Sequence, residues 1–127
     1  MTISFMPYVH DGRRDIWVFP DQVRDDIDSY EVNLSNVNAV DVLAALGLPP
    51  ETNVLAIDVF ANLVTAALRR HLGHRSSAIE PSVDHQPGRI AIIDCGRAEG
   101  YIETRLGHLA RLVQRSRAIS ATHIGWG

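Results

Sequence analysis

The sequence predicts one α+β domain covering all 127 residues, and three observations lead to this fold class. The length suits a single domain, and 46% apolar with 21% charged residues is typical of a globular protein. Segments rich in β-branched and aromatic residues stand near both chain ends. Between them, apolar residues recur at helical spacing. We predict a mixed sheet of four or five strands, an N-terminal hairpin and about three helices, ordered β-β-β-α-α-β-α-β.

The N-terminal hairpin is predicted from two strand-like segments, residues 3–9 and 15–19. Asp11-Gly12 between them can form a two-residue turn, because glycine adopts positive φ at little cost. Pro7 has no N–H to donate, so its strand is expected at a sheet edge. A third strand is predicted over residues 30–34, where apolar and polar residues alternate.

The first helix is predicted to begin in the polar segment 33–38 and to end at Gly47. Asn side chains can accept hydrogen bonds from the unpaired N–H groups of a helix start, so Asn36 or Asn38 is expected to cap it. Val40 is expected to face the core. Gly47 suits the left-handed position after a helix, and the following Pro49 prevents continuation.

Two further helices are predicted from apolar spacing over residues 53–72 and 101–117. The first is so apolar that we expect it to be covered on more than one side. Residues 74–88 are predicted to form a surface loop, and residues 89–94, apolar on both faces, a strand at the sheet centre. The closing THIGWG segment is predicted to be a short last strand.

Composition excludes several classes of function. All twelve basic residues are arginine, which excludes Schiff-base chemistry and a Walker-type phosphate loop. The net charge of −3 and the spread of arginines along the third helix (Arg105, Arg111, Arg115, Arg117) argue against nucleic-acid binding. No signal peptide or membrane-length apolar run is visible, and one cysteine cannot form an intrachain disulfide, so a cytoplasmic location is expected.

No motif assigns a catalytic or metal-binding residue. His71 and His74 are three residues apart, but Gly73 lies between them and no third ligand has a diagnostic spacing. Cys95 lacks a legible histidine partner, and no G-x-S-x-G elbow is present. We therefore predict no metal or cofactor, and the sequence leaves open whether the protein is an enzyme.

Two predicted strand-to-helix turns indicate where a ligand could bind. One follows Leu34 and the other follows Asp94. If their strands are parallel neighbours, both turns open at one sheet edge, where helix N-termini favour a small anionic ligand. The alternative is that the asparagines only cap, Asp94 only ends a strand, and Arg97 is solvated. The residues expected at this edge are Asn36, Asn38, Asp94, Arg97, Tyr101 and Arg105.

Two segments resemble small bacterial proteins of unassigned function. One is NLSNVNAVDVLAALGL at residues 33–48, with an N-x-x-N-x-N…LGL pattern, and the other is the closing segment 101–127, with Y-I…R-L…W-G. The resemblance implies no activity or cofactor. It implies a shared role for Asn36, Asn38, Tyr101, Arg105 and Trp126.

Two functions remain open. The first is a non-catalytic binding or accessory module that self-associates or docks a protein partner. The apolar second helix favours it, as does Trp126, because a large aromatic at a chain end needs packing inside the domain or against a neighbour. The second is a small-ligand-binding protein or enzyme that uses the polar edge described above.

Overall fold

The protein has the predicted α+β fold, and its described residues form a five-stranded sheet, a two-stranded ribbon and four α-helices. The computed structural model describes residues 1–72, 75–80, 82–86, 89–94 and 96–127, with segments 82–86 and 89–94 described by their backbone. In chain order the elements are β1 (Thr2–Asp11), β2 (Ile16–Val18), α1 (Asp21–Asp25), a 3₁₀ turn (Ile27–Tyr30), β3 (Val32–Ser35), α2 (Asn36–Leu46), β4 (Asn53–Ala56), α3 (Ile57–Arg70), β5 (Ser82–Gln86), β6 (Arg89–Asp94), α4 (Tyr101–Ala118) and β7 (His123–Trp126).

The long first strand organises the sheet, whose order is β2-β1-β7-β4. β7 pairs with β1 on one side, while β3 and β2 pair with the two ends of β1 on the other. All these pairings are antiparallel, so the sheet is not mixed as predicted. The physical reason is connectivity, because a short hairpin joins β1 to β2 and the two chain ends pair directly.

Pro7 lies in the middle of the sheet, not at an edge as predicted. Ser4 and Gly127 exchange backbone hydrogen bonds across β1 and β7. Bonding direction alternates along an antiparallel strand, so Pro7 directs its nitrogen away from β7. On that side β3 pairing stops at Phe5 and β2 pairing begins at Val9. The Pro7 nitrogen, which has no hydrogen to donate, therefore lies where neither β3 nor β2 pairs with β1.

The helices α2, α3 and α4 pack against one face of the sheet. Phe5 and Trp126 lie opposite each other on β1 and β7, and both rings stand within 6.4 Å of the Phe60 ring on α3. Alternation along β1 directs Phe5 into this core and its neighbour Met6 to the opposite face. The sheet thus presents one face to the helices and a second face away from them.

Helix α2 begins at Asn36 and ends as predicted, with Gly47 in the left-handed conformation at φ 73°. The predicted asparagine cap is wrong, since the N-cap residue is Ser35 and its side chain makes no capping bond. The Asn36 N–H instead donates to the Met1 carbonyl at 3.2 Å. Val40, predicted to face the core, is 43% exposed, because α2 packs through Val42 and the residues one turn from it.

The predicted helix over residues 53–72 is split in two. Its first four residues form β4, which pairs with β7, and α3 begins only at Ile57. The Ile57 N–H donates to the Thr122 carbonyl at 2.9 Å, which fixes this junction beside β7. These residues have apolar side chains at helical spacing, but pairing with a strand 70 residues away in sequence outweighs that local preference. The spacing of apolar residues cannot reveal such a distant partner.

Segments 82–86 and 89–94 form a separate two-stranded antiparallel ribbon. The surface-loop prediction for residues 74–88 is therefore wrong over β5, while residues 74, 81, 87 and 88 lie outside the described part. β6 is a strand as predicted, but it is not at the centre of the main sheet. The central strands are β1 and β7. An apolar run alone cannot show which strand is central, so the sequence could not distinguish them from β6.

Candidate functional site

The structure brings four of the six predicted edge residues together. Their strands lie in different sheets, so the parallel neighbours on which the prediction depended do not exist. The segment after β6 nevertheless crosses to α2, and the Arg97 Nη1 group donates to Asp41 Oδ2 at 2.7 Å. It also approaches Asn38 Oδ1 at 3.5 Å. We call this group the rim cluster: Asn38, Asp41, Arg97, Tyr101 and Arg105.

Tyr101 connects the two arginines of the rim cluster. Its ring centroid lies 6.0 Å from the Arg97 guanidinium carbon and 5.1 Å from that of Arg105, within the range of cation–π contacts. The Arg97 side chain is 11% exposed and Asp41 is 45% exposed. Arg97 is therefore packed and paired, whereas Arg105 extends beyond the cluster with its charge free of a carboxylate among the described residues.

The other two predicted edge residues are placed differently. Asn36 lies beside the N-terminus, where its Nδ2 group is 3.4 Å from Met1 Sδ. Asp94 ends β6, and its side chain is outside the described part of the structure. Asn33, in the same polar segment, donates to Ser4 Oγ at 2.7 Å across the β1–β3 pair. Asn33 thus makes a cross-strand contact and Asn36 contacts Met1.

A second polar cluster fixes the start of α4. Glu103 Oε1 accepts from the Ser76 N–H at 2.8 Å and lies 2.9 Å from His71 Nδ1, while Oε2 accepts from the Ser76 hydroxyl at 2.8 Å. Partial burial opposes ionisation of Glu103, but hydrogen bonds from its own backbone, Ser76 and His71 outweigh it and lower its pKa to about 2. The Ser76 hydroxyl is thus bonded to the carboxylate and not to the imidazole, which is not the arrangement of an activated nucleophile.

Trp126, the predicted interface residue, is only 2% exposed and packs inside the domain against Phe5 and Phe60. Its indole Nε1 is buried without a hydrogen-bond partner among the described residues. Trp126 is therefore packed within its own domain.

A groove of about 520 Å³ lies on the sheet face opposite the helices. Gly125 is one of the residues that line it, and a Cβ added there would stand 2.7 Å from Tyr8 Cε2. Burial raises the pKa of the Tyr8 hydroxyl. We call this surface the sheet-face groove: Ser4, Met6, Tyr8, Trp17, Thr52, Asn53, Val54, Gly125, Trp126 and Gly127.

Trp17 is the prominent side chain of the sheet-face groove. It comes from the β1–β2 hairpin and remains 40% exposed, although its ring centroid lies 4.4 Å from that of His123 and 5.1 Å from that of His10. The hairpin turn contains residues 12–15, with the Asp11 carboxylate accepting the Arg13 N–H, so the predicted two-residue turn is wrong. This longer turn leaves Trp17 opposite His10.

Sequence reasoning missed this groove. The apolar and aromatic character of Met6, Tyr8 and Trp17 was visible, but their common face depends on β1 being a central strand. Val54 joins them only because residues 53–56 form a strand opposite β7. Alternation along β1 was the available signal, since Ile3 and Phe5 occupy one face and Ser4 and Met6 the other.

Within the described residues, no group of three or more His, Cys, Asp or Glu side chains could hold a metal ion. The same part of the chain has no helix that is both long and apolar enough to cross a bilayer. Comparison with protein-family models, with curated proteins and with solved structures finds no match. The resemblance to small bacterial proteins of unassigned function stays a prediction.

Proposed function

We propose that this chain is a non-catalytic binding module that associates with a second copy of itself through the sheet-face groove. The supporting observation is the exposed Trp17 beside an apolar groove on the sheet face that the helices leave uncovered. Contiguous apolar surfaces bordered by polar residues commonly mark protein–protein or ligand-binding sites. Tryptophan is also the residue type that most often anchors protein interfaces.

The choice of a second copy rests on charge and shape. The chain carries a formal charge of −3, so two copies repel each other in general. Among the described residues that line the sheet-face groove, none has a charged side chain, which favours it as the place where identical surfaces meet. A two-fold axis would set Trp17 of each copy against the groove of the other, and two-fold dimers are the commonest oligomers.

Molar mass measured by light scattering over a range of concentrations tests this proposal. The wild-type protein should approach twice its 14.0 kDa mass at high concentration. Trp17→Ser should weaken the dimer by at least tenfold, because it removes the central anchor. Ile27→Ser is the matched control, since Ile27 is 46% exposed on the 3₁₀ turn, away from the groove lining. A monomer at every concentration, or equal weakening by both substitutions, would refute the proposal.

A second candidate is a small-ligand-binding protein that uses the rim cluster. The convergence of Asn38, Arg97, Tyr101 and Arg105 supports it. On this proposal, Asn38→Ala lowers affinity for a ligand found in a metabolite screen far more than it lowers thermal stability. The contact of Asn38 with Arg97 is long, at 3.5 Å, so its structural contribution is small. Loss of affinity and stability in equal measure would favour a structural role.

A further inference from the structure

We propose that a cavity between α4 and residues 29–33, distinct from the sheet-face groove, binds the phosphate group of a small phosphomonoester. The cavity has a volume of about 180 Å³. One wall is a face of α4, because residues three or four positions apart lie on the same side of a helix. The other wall includes the start of β3. We call it the basic cavity and define it by Arg105, His108, Arg111, Arg115, Glu31 and Asn33.

The charges of the basic cavity are unbalanced. The residues that line the cavity include three arginines and one acidic residue, Glu31, whose Oε1 accepts from the Ser4 hydroxyl at 2.5 Å. Among the described residues, none of the three arginines forms an ion pair with a carboxylate, unlike Arg97 in the neighbouring rim cluster. Guanidinium groups gathered in one concavity repel each other, and a bound anion would relieve that repulsion.

Two of the three arginines, Arg105 and Arg115, are held in place for an anion. Arg105 stacks on Tyr101 and contacts His108 Nδ1 at 3.3 Å, and Arg115 donates to the Ser29 carbonyl at 3.1 Å. Each guanidinium keeps further N–H groups, since it carries five donors and these contacts use one or two. Holding these side chains before binding reduces the entropy lost when a ligand arrives.

His108 adds a neutral donor between the arginines. Partial burial, together with the charges of Arg105 and Arg111, lowers the pKa of His108 below its usual 6.5, so the ring is neutral at pH 7. If Nδ1 accepts from Arg105, the imidazole proton lies on Nε2 and can be donated to a ligand oxygen. Three forked cations and one neutral donor suit the several oxygens of a phosphate dianion better than a single carboxylate.

The surroundings favour a small ligand over a nucleic acid. Ser29, which lines the cavity, directly follows the acidic segment that contains Asp25, Asp26 and Asp28. A polymer would bring further phosphates towards these carboxylates and be repelled, whereas a single phosphate group can stay beside the arginines. The Glu31 carboxylate and the Asn33 amide oxygen can accept hydrogen bonds from hydroxyl groups on the remainder of a small molecule.

Titration of the protein with inorganic phosphate at constant ionic strength tests this inference, with His108 imidazole NMR signals and calorimetry as readouts. Phosphate should bind with a stoichiometry of one per chain and raise the pKa of His108, because a bound anion stabilises the imidazolium. Arg111→Gln should weaken binding at least tenfold. Arg111 is an exposed residue, so this substitution should leave the fold intact. Arg13→Gln, an exposed arginine on the hairpin turn, is the charge-matched control and should leave binding unchanged.

Three outcomes would overturn the inference. The first is an absence of saturable phosphate binding by the wild-type protein, and the second is equal weakening by Arg13→Gln and Arg111→Gln. The third is tighter binding of a single-stranded oligonucleotide than of glycerol phosphate, which would indicate a polyanion surface. Trp17→Ser should bind phosphate like the wild type, so the dimer proposal and this inference can fail separately.

Discussion

Arg97 and Asp41 are 56 residues apart in sequence and form an ion pair of 2.7 Å that attaches the segment before α4 to helix α2. The guanidinium is nearly buried and its Nε group has no hydrogen-bond partner among the described residues. A buried cation depends strongly on its carboxylate, because water cannot replace it. This pair therefore contributes to the joining of the α4 and α2 regions, in addition to any role in binding.

Asp41→Asn should lower the free energy of unfolding by about 1–3 kcal/mol, since it leaves the Arg97 charge poorly compensated. Urea denaturation followed by circular dichroism measures this change. Arg117→Gln is the matched control, because its ion pair with Asp58 joins side chains that are 49% and 83% exposed. Its removal should cost less than about 1 kcal/mol. If the two substitutions cost the same, the Arg97–Asp41 pair has no special structural role.

Glu103 makes stability depend on pH in an acidic range. Its pKa is about 2 in the folded protein and 4.5 ordinarily, so the folded state binds fewer protons than the unfolded state between these values. The stabilisation is complete above pH 4.5 and is lost as the pH falls towards 2. Unfolding measured from pH 6 to pH 2 should show this loss, and Glu103→Gln should reduce it. An unchanged profile in the variant would assign the acid sensitivity to other carboxylates.

Gly125→Ala should destabilise the protein by about 1–3 kcal/mol, because the new methyl group would overlap the Tyr8 ring. The Cβ position lies 2.7 Å from Tyr8 Cε2 and 3.3 Å from the Asn53 carbonyl, and both neighbours belong to paired strands. Thermal unfolding and the near-ultraviolet circular dichroism of the aromatic residues report the effect. A fully stable variant with an unchanged aromatic spectrum would contradict the tight packing at this position.

Gly107→Ala should have the opposite effect and stabilise the protein by about 0.5–1 kcal/mol. Gly107 lies within α4, and an added Cβ would meet no atom within 4 Å. Alanine loses less backbone entropy than glycine on folding into a helix. The midpoint of urea unfolding should rise with an unchanged dependence on urea concentration. A fall in the midpoint would mean that this face of α4 packs more closely than described.

Gly47→Ala should cost about 1–2 kcal/mol, although an added Cβ would again meet no atom within 4 Å. The cost arises from the backbone, since φ is 73° and this left-handed conformation is unfavourable for residues with a Cβ. Urea unfolding measures the change. Gly47→Asn should cost less than Gly47→Ala, because asparagine tolerates this region better, and the reverse order would contradict the explanation.

The sequence by itself determined the local parts of this structure. The end of α2 at Gly47, the extent of α4 from Tyr101 and the final strand all depend on short-range patterns, and these predictions are confirmed. The α+β fold class is confirmed for the same reason, because it depends on the types of segment present and not on how they pair. Periodicity and end signals act within a few residues, so one sequence is sufficient to recognise them.

Only the tertiary structure decided which distant segments meet. Residues 53–56 form a strand because β7 pairs with them. Asn38 and Arg97 come together although the strands that precede them, β3 and β6, belong to different sheets. The pairing of β1 with β3 and β2 leaves an unpaired stretch at Pro7. The packing of α4 beside residues 29–33 places Arg105, Arg111 and Arg115 along one cavity. Both depend on long-range contacts. Such contacts join residues tens of positions apart, and their energies depend on burial and charge neighbours that exist only after folding.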